Sequence, residues 1–316
     1  MISARSISRR DWLGRVAGLG ALAASSTNWQ PLTMAADDTK LTIIDPHVHV
    51  WKRDARYPWP ADLAKLPSED ALPETLLGLM QAHGVEKTVI VHVIYYRWDC
   101  RYAADCVKAR PDKFMGVCRV DPQSARAPAD LERWTTAGFH GVRLSPYAGP
   151  ASDWIADRAQ MDPIWSRAAE LKVPICVLCD TSRLPDVAKV VERFADRVDV
   201  CIDHMSDCPI DQPAELDKLL ALARYPRAFV KLSHLWLLSR EAYPYRDTHA
   251  QVRRLYDAFG PQRLMWGSDW PAVEPYCGYG RALALYRDEI KFFTDDDRRW
   301  ILGGTALRLW PFSPRA

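Results

Sequence analysis

In the segment Leu41-Thr-Ile-Ile-Asp45-Pro-His47-Val-His49, two histidines stand one residue apart. Alternate residues of a strand project to one face, so His47 and His49 can aim both imidazoles at a common point. The run before them is β-branched and apolar, the pattern of the first strand of a buried parallel sheet. Paired imidazoles at the C-terminal end of such a strand suit a divalent metal or a polarised substrate oxygen.

Such a pair acts only if other strands bring partners to it. Strand-like apolar runs are expected at 41–45, 88–93, 114–120, 141–144, 174–178, 198–203, 228–233 and 264–268. Helix punctuation falls between them. Pro73-Glu74 opens a helix that closes at Gly84, and Asp162-Pro163 opens one that runs to Lys172. Another closes at Gly260 before Pro261, and an amphipathic stretch spans 294–309. Eight strand–helix repeats predict a single-domain α/β fold, the (β/α)8 TIM barrel, with its active site at the C-terminal strand ends. A doubly wound sheet is the competing architecture, but no Gly-x-Gly-x-x-Gly follows an early strand. In strand order the barrel ends supply His47 and His49, His92, Arg119 and Asp121, Arg143 and Ser145, Cys179 and Asp180, Asp203 and His204, Lys231 and Ser233, and Ser268 and Asp269.

The 316 residues are 48% hydrophobic with a formal charge of +2, enough for one large core. Balanced charge without a basic block argues against nucleic acid as a partner, and no apolar run is long enough to span a bilayer. Ser8-Arg9-Arg10-Asp11-Trp12-Leu13 resembles the bacterial twin-arginine export motif and precedes an apolar stretch from Val16 to Ala24. Residues 1–36 are therefore expected to be a signal segment, cleaved near Ala23 or Ala35, with the barrel in 37–316 and no membrane insertion afterwards. Export to the periplasm follows from that reading. A basic amphipathic first helix on a cytoplasmic protein is the competing one, supported by Arg15 inside the apolar stretch. Of the eight cysteines, Cys118, Cys176 and Cys201 lie in strand-like runs and read as small hydrophobes. Cys176 and Cys179 have Cys-x-x-Cys spacing, but residues three apart on a strand face opposite ways. A disulfide among Cys100, Cys106, Cys208 and Cys277 stays open in an oxidising compartment.

Taken in order, Asp45-Pro-His47-Val-His49, Gly141-Val-Arg143-Leu, Ile202-Asp203-His204-Met205, Val230-Lys231-Leu-Ser233 and Met265-Trp-Gly-Ser-Asp269-Trp-Pro271 resemble the marker segments of the amidohydrolase superfamily. The resemblance is to amidohydrolase family 2, and within it to the lactone hydrolases, the 2-pyrone-4,6-dicarboxylate hydrolases and sugar-acid lactonases. It implies a first-strand pair, His47 and His49, a sixth-strand His204 and an eighth-strand Asp269. The sequence departs from the family pattern at the fifth strand, where Leu178 or Cys179 stands in place of a metal-binding histidine. It departs again at the fourth, where Arg143 replaces the residue that bridges two metals. The resemblance therefore implies no binuclear centre. It leaves one divalent ion, such as zinc, on His47, His49 and Asp269, with His204 as a further candidate ligand, or no ion at all. Cys179 is a weaker substitute ligand.

Opening a lactone requires a base for water and donors for the developing oxyanion. Asp269 is the expected base, although a helix N-cap ahead of Trp270-Pro271 would also explain it. His204 is expected to polarise the carbonyl or bind metal; a core histidine bonded to Asp203 is its bland alternative. His92 reads as a buried structural imidazole. The expected substrate is a small anionic cyclic compound, clamped by Arg143 with help from Lys231 and lined by aromatic residues such as Trp51 and Tyr95. Arg97 and Arg183 are weaker candidates. The leading expectation is hydrolysis of an acidic aromatic-catabolite or sugar-acid lactone. A metal-dependent decarboxylase and a non-catalytic binding barrel are the alternatives, and a homo-oligomer stays open.

Overall fold

In the computed structural model, residues 41–63, 66–147 and 150–312 are described; the twin-arginine-like segment and its cleavage positions lie outside them. Eight strands form one sheet in the order β1 to β8: Ile43–Val48, Val85–Val91, Phe114–Arg119, Phe139–Leu144, Ile175–Val177, Val200–Ile202, Ala228–Lys231 and Leu264–Met265. All seven adjacent pairs are parallel. Sequential order without a reversal is the barrel topology and excludes the doubly wound sheet. Closure is made beyond β8, where His49 N–H donates to the Trp270 carbonyl at 2.8 Å and Asp269 N–H to the His47 carbonyl at 2.9 Å. The last strand thus delivers Asp269 directly beside the histidine pair. No helix among the described residues is long and apolar enough to cross a membrane.

Two apolar layers build the barrel. Ile44, Val89, Val117, Cys176, Cys201, Phe229 and Met265 point inward, and Trp310 from the C-terminal helical segment joins them. Their strand neighbours, among them Val142, Val177, Ile202 and Val230, point outward to the surrounding helices. β1 changes parity on the way. Ile44 faces the interior, yet Val48 and Val50 belong to the outer layer, and the β1–β2 register shifts between Asp45 and Val48. Pro46, which donates nothing to the ladder, sits in this irregular stretch. The bulge re-aims the strand so that the odd-numbered His47 and His49 face the barrel mouth.

The helix Pro73–His83 starts and stops as expected, with Gly84 in the left-handed region at its end. The helix expected to open at Asp162-Pro163 instead spans Arg158–Leu171, because Asp157 accepts from the Ala159 N–H and caps it one turn earlier. β1 runs on past Asp45 to Val48, which puts His47 within the strand rather than after it. The closing stretch is helical, opened by a capping box between Thr294 and Asp297.

Gly303, in that closing stretch, packs so closely that a Cβ would lie 2.0 Å from the Thr42 carbonyl oxygen. Gly303→Ala should lower unfolding stability by about 1–3 kcal/mol or more, since the obstacle is backbone. Gly78 is helical with open space around it, so Gly78→Ala should raise stability by about 0.5–1 kcal/mol. Urea unfolding of both variants measures the contrast; equal effects would contradict this packing.

Candidate active site

Beneath the barrel mouth lies a buried ionic cluster. The fully buried Asp203, at the end of β6, receives Arg143 Nε at 2.9 Å and Lys231 Nζ at 3.0 Å. Lys231, also fully buried, stands over the Trp310 ring at 5.2 Å and reaches His47 Nδ1 at 3.1 Å. Burial pushes the Asp203 carboxyl up, but Lys231, His47 and Arg143 outweigh it and hold it well below the usual range. Lys231 is pushed down by burial and lifted above its ordinary value by Asp203. Lys231, expected to touch substrate, is instead committed to the barrel interior by full burial and its ion pair with Asp203.

Above this floor the catalytic candidates meet. His47 Nε2 lies 3.5 Å and His49 Nε2 3.1 Å from Asp269 Oδ1. His49 holds its ring with Nδ1 against the Val91 carbonyl at 2.6 Å, so Nδ1 carries the proton and Nε2 turns a lone pair toward the carboxylate. Two acceptors face each other there, an arrangement that a proton or a cation must bridge. Burial, with Lys231 beside it, pushes His47 down to about 3, so its ring is neutral. Lys231 only donates, so His47 Nδ1 accepts from it and Nε2 carries the proton; a metal on Nε2 would require that proton to leave Nε2 for Nδ1, which also faces Asp203 at 3.5 Å. Neither His47 Nε2 nor Asp269 Oδ1 has a hydrogen-bond partner, although both are buried. Ligand atoms of a tetrahedral zinc with bonds near 2.0–2.1 Å stand about 3.3 Å apart, which these distances match. His47, His49 and Asp269 thus form a group able to hold a metal ion, all three buried.

The sequence reading missed His234. It follows β7, directly after Ser233, and its Nε2 lies 2.8 Å from Asp269 Oδ2 while Nδ1 lies 2.8 Å from Asp207 Oδ1. Burial pushes this imidazole down, but the hydrogen bonds to Asp207 and Asp269 outweigh it and lift it to about 9. At neutral pH His234 is an imidazolium donating to both carboxylates. Burial raises the Asp269 carboxyl, but the hydrogen bond from His234 outweighs it and holds it well below the usual range, so it stays ionised. The only sequence signal was position, three residues past Lys231 at the end of the seventh strand.

His204 stacks on His234 with ring centroids 3.6 Å apart and planes 1° from parallel. Burial, with His234 beside it, keeps it neutral. Its Nδ1 meets Ser233 Oγ at 2.7 Å and its Nε2 faces an Arg143 amino group at 3.4 Å. Since guanidinium only donates, Nε2 accepts. Asp203 is not the partner of His204, and in this state His204 has no free N–H for a carbonyl; it holds the Arg143 guanidinium at the site instead. His204, Met205, Ser206 and Asp207 all adopt left-handed backbone with φ of 46–55°, as do His234 at 71° and Asp269 at 56°. Such conformations cost non-glycine residues about 1–2 kcal/mol each and gather at functional sites.

The remaining candidates are dispersed. Trp51 and Tyr95 pack edge to face at 5.2 Å and line a separate groove that also includes Trp270. His92 is buried near Tyr96, and burial with Arg119 pushes it down to about 3. Cys179 faces Ser206, and burial pushes its thiol up to about 12, a poor setting for a thiolate ligand. Cys176 and Cys179 do face opposite layers, and all eight cysteines are free thiols. Arg97 and Arg183 sit in ion pairs with Asp62 and Asp153.

A parallel eight-stranded barrel that gathers histidines and one ionised aspartate at its C-terminal rim defines a class of hydrolytic, metal-capable barrels. The chain belongs to amidohydrolase family 2: the family model described as Amidohydrolase matches residues 44–312. It is 30% identical over 280 residues to the L-fucono-1,5-lactonase of Burkholderia ambifaria, covering 84% of this chain and 94% of that protein. The 4-sulfomuconolactone hydrolase of Hydrogenophaga intermedia is 27% identical over 233 residues, 72% of this chain and 74% of its own. A solved amidohydrolase from Burkholderia multivorans with bound zinc matches with a TM-score of 0.68 at 25% identity, over 85% of this chain and 99% of that one.

The charge balance of the floor gives a test. Asp203→Asn keeps the shape but leaves Lys231 and Arg143 buried without their shared carboxylate. It should cost about 3–5 kcal/mol of stability, and adding Lys231→Met should recover part of the loss. Denaturant unfolding reads both; a second substitution that adds its own penalty in full would disprove the coupling.

Proposed function

We propose that the protein is a lactonase, opening a cyclic ester with water activated at Asp269. The observation that carries this reading is the Asp269 carboxylate, ionised and gripped from both sides, with one oxygen on His234 and the other toward His47 and His49. The lactonase names of the relatives support the same bond class.

Asp269 Oδ1 is the base. It takes a proton from water, whose oxygen attacks the lactone carbonyl carbon. The ring C–O bond then breaks, and the proton held by Asp269 passes to the departing ring oxygen. His234 holds the carboxylate through Oδ2, so that Oδ1 faces His47 and His49. The Arg143 guanidinium, held by Asp203 and His204, faces the developing oxyanion. A divalent ion bound by His47, His49 and Asp269 would acidify the water and polarise the carbonyl. We propose that one such ion, zinc by its donor set, belongs to the active form. Export through Ser8-Arg9-Arg10-Asp11-Trp12-Leu13 is proposed from that motif alone.

Purified protein should open members of a five- and six-membered lactone panel, followed by acid release with a pH indicator. Asp269→Asn should lower kcat by about 10²–10⁴. Chelation should remove close to one equivalent of metal and most of the activity, and zinc should restore both. No turnover of any lactone, beside metal-restored decarboxylation of aromatic acids, would overturn the reading.

A further inference from the structure

Beside the catalytic cluster, on the β3–β4 side, lies a cavity of about 220 Å³ lined by Trp98, Arg119, Asp121, Arg143, Ser145 and Trp154, among others. Arg119 and Arg143 are register partners on adjacent parallel strands, so two guanidinium groups stand side by side. Both are 5% exposed. Like charges so placed repel unless an anion lies between them or beside them. Arg143 has its anion in Asp203. Among the described residues Arg119 has none within ion-pairing distance: its Nε is buried without a hydrogen-bond partner, and the Trp98 ring lies 5.7 Å from its guanidinium carbon. Ser145 Oγ, lining the same cavity, is likewise buried and unpartnered.

The surroundings do not neutralise this cation. Arg119, Arg143 and Lys231 are three buried positive groups around one buried carboxylate, Asp203. Asp269 is shared by the neighbouring histidines. Asp121 lines the cavity at half-buried depth, but Arg119 Nε makes no hydrogen bond to it. Burial and the neighbouring Arg143 push Arg119 down to about 9, still cationic at neutral pH. Burying an unpaired guanidinium is costly, so its retention calls for a partner that arrives from outside.

We propose that Arg119 and Ser145 form a carboxylate-binding cradle that selects cyclic substrates bearing an acid group. The planar two-oxygen anion matches a guanidinium edge plus one hydroxyl donor. The Arg143 amino group that meets His204 lies between this cradle and the catalytic cluster, so a carboxylate on Arg119 would set the ring carbonyl over Arg143 and Asp269. Selection thus rests on Arg119, since Arg143 is already engaged by Asp203. The substrate-selecting role builds on the lactonase reading above; the cradle itself does not need it.

The probe is benzoate against its neutral analogue benzamide, titrated calorimetrically into the intact protein. Wild type should bind benzoate at least about tenfold more tightly. Arg119→Met should bring the two affinities within about twofold of each other, and Ser145→Ala should reduce the preference a few-fold. If Arg119→Met does not fold, Arg119→Lys serves, keeping charge but losing the fork, with a preference lowered at least about threefold. Equal or unmeasurable binding of the two probes to wild type, or a preference that survives at Arg119, overturns the cradle. On lactones, kcat/KM for a carboxylated ring over its methyl ester should fall in the same variants, mostly through KM. A benzoate preference without any lactone turnover keeps the cradle and sinks the lactonase reading; turnover without charge preference does the reverse.

Discussion

The site hangs on one buried carboxylate. Asp203 pairs with both Lys231 from β7 and Arg143 from β4, and through Lys231 it sets the electrostatics of His47 on β1. Strands four, six, seven and one are thus tied at a single point in the barrel axis. A buried ion pair of this kind is weak as a source of net stability, because desolvation consumes most of the Coulomb gain. Its effect is geometric. Lys231 cannot leave Asp203 without stranding two charges, so its Nζ stays at 3.1 Å from His47 and the histidine ring is held in place from below. Trp310 closes the arrangement from the opposite side, which explains why the C-terminal segment must reach into the barrel.

Much of the fold was legible in sequence because apolar runs and helix punctuation are local signals. All eight strands were expected close to where they form, and the closing Gly84 and Gly260 were read correctly. His47, His49, His204 and Asp269 were legible as well, since strand-end position and barrel topology together force them to meet. What failed was what depends on backbone detail. The parity change in β1 is invisible without the register, and it is the bulge that turns His47 and His49 inward. His234 escaped because it lies beyond its strand, in a left-handed conformation that no residue type in Leu232-Ser-His234-Leu announces. Lys231 was misplaced for a different reason. Sequence alone gives a cation at a strand end, and only the depth of the side chain decides whether it meets substrate or Asp203.

The left-handed residues and the electrostatics serve the same end. His204, His234 and Asp269 each depart from the strand conformation just where their side chains must converge, while Ser206 and Asp207 continue the turn begun at His204. The turn places Asp207 against His234, and that contact, with Asp269, keeps the imidazolium protonated. A neutral His204 stacked on a charged His234 is then tolerable, whereas two charged rings at 3.6 Å would not be. The local backbone cost is therefore coupled to a protonation pattern: one charged histidine, one neutral histidine, one ionised aspartate.

The buried charges also limit how many ions the barrel mouth can take. A second metal beside the first would need a carboxylate or imidazole on the fourth, fifth or sixth strand with free lone pairs. Arg143 occupies the fourth-strand position, and the inward Cys176 and Cys201 of the fifth and sixth strands gather around Asp203, whose oxygens already face two cations at 2.9 and 3.0 Å. The ammonium of Lys231 and the guanidinium of Arg143 stand where the charge of a second ion would stand. On the β1–β8 side, by contrast, the lone pairs of His49 Nε2 and Asp269 Oδ1 face each other at 3.1 Å. The β4–β6 side is already cationic, which turns that half of the mouth from metal binding toward anion binding.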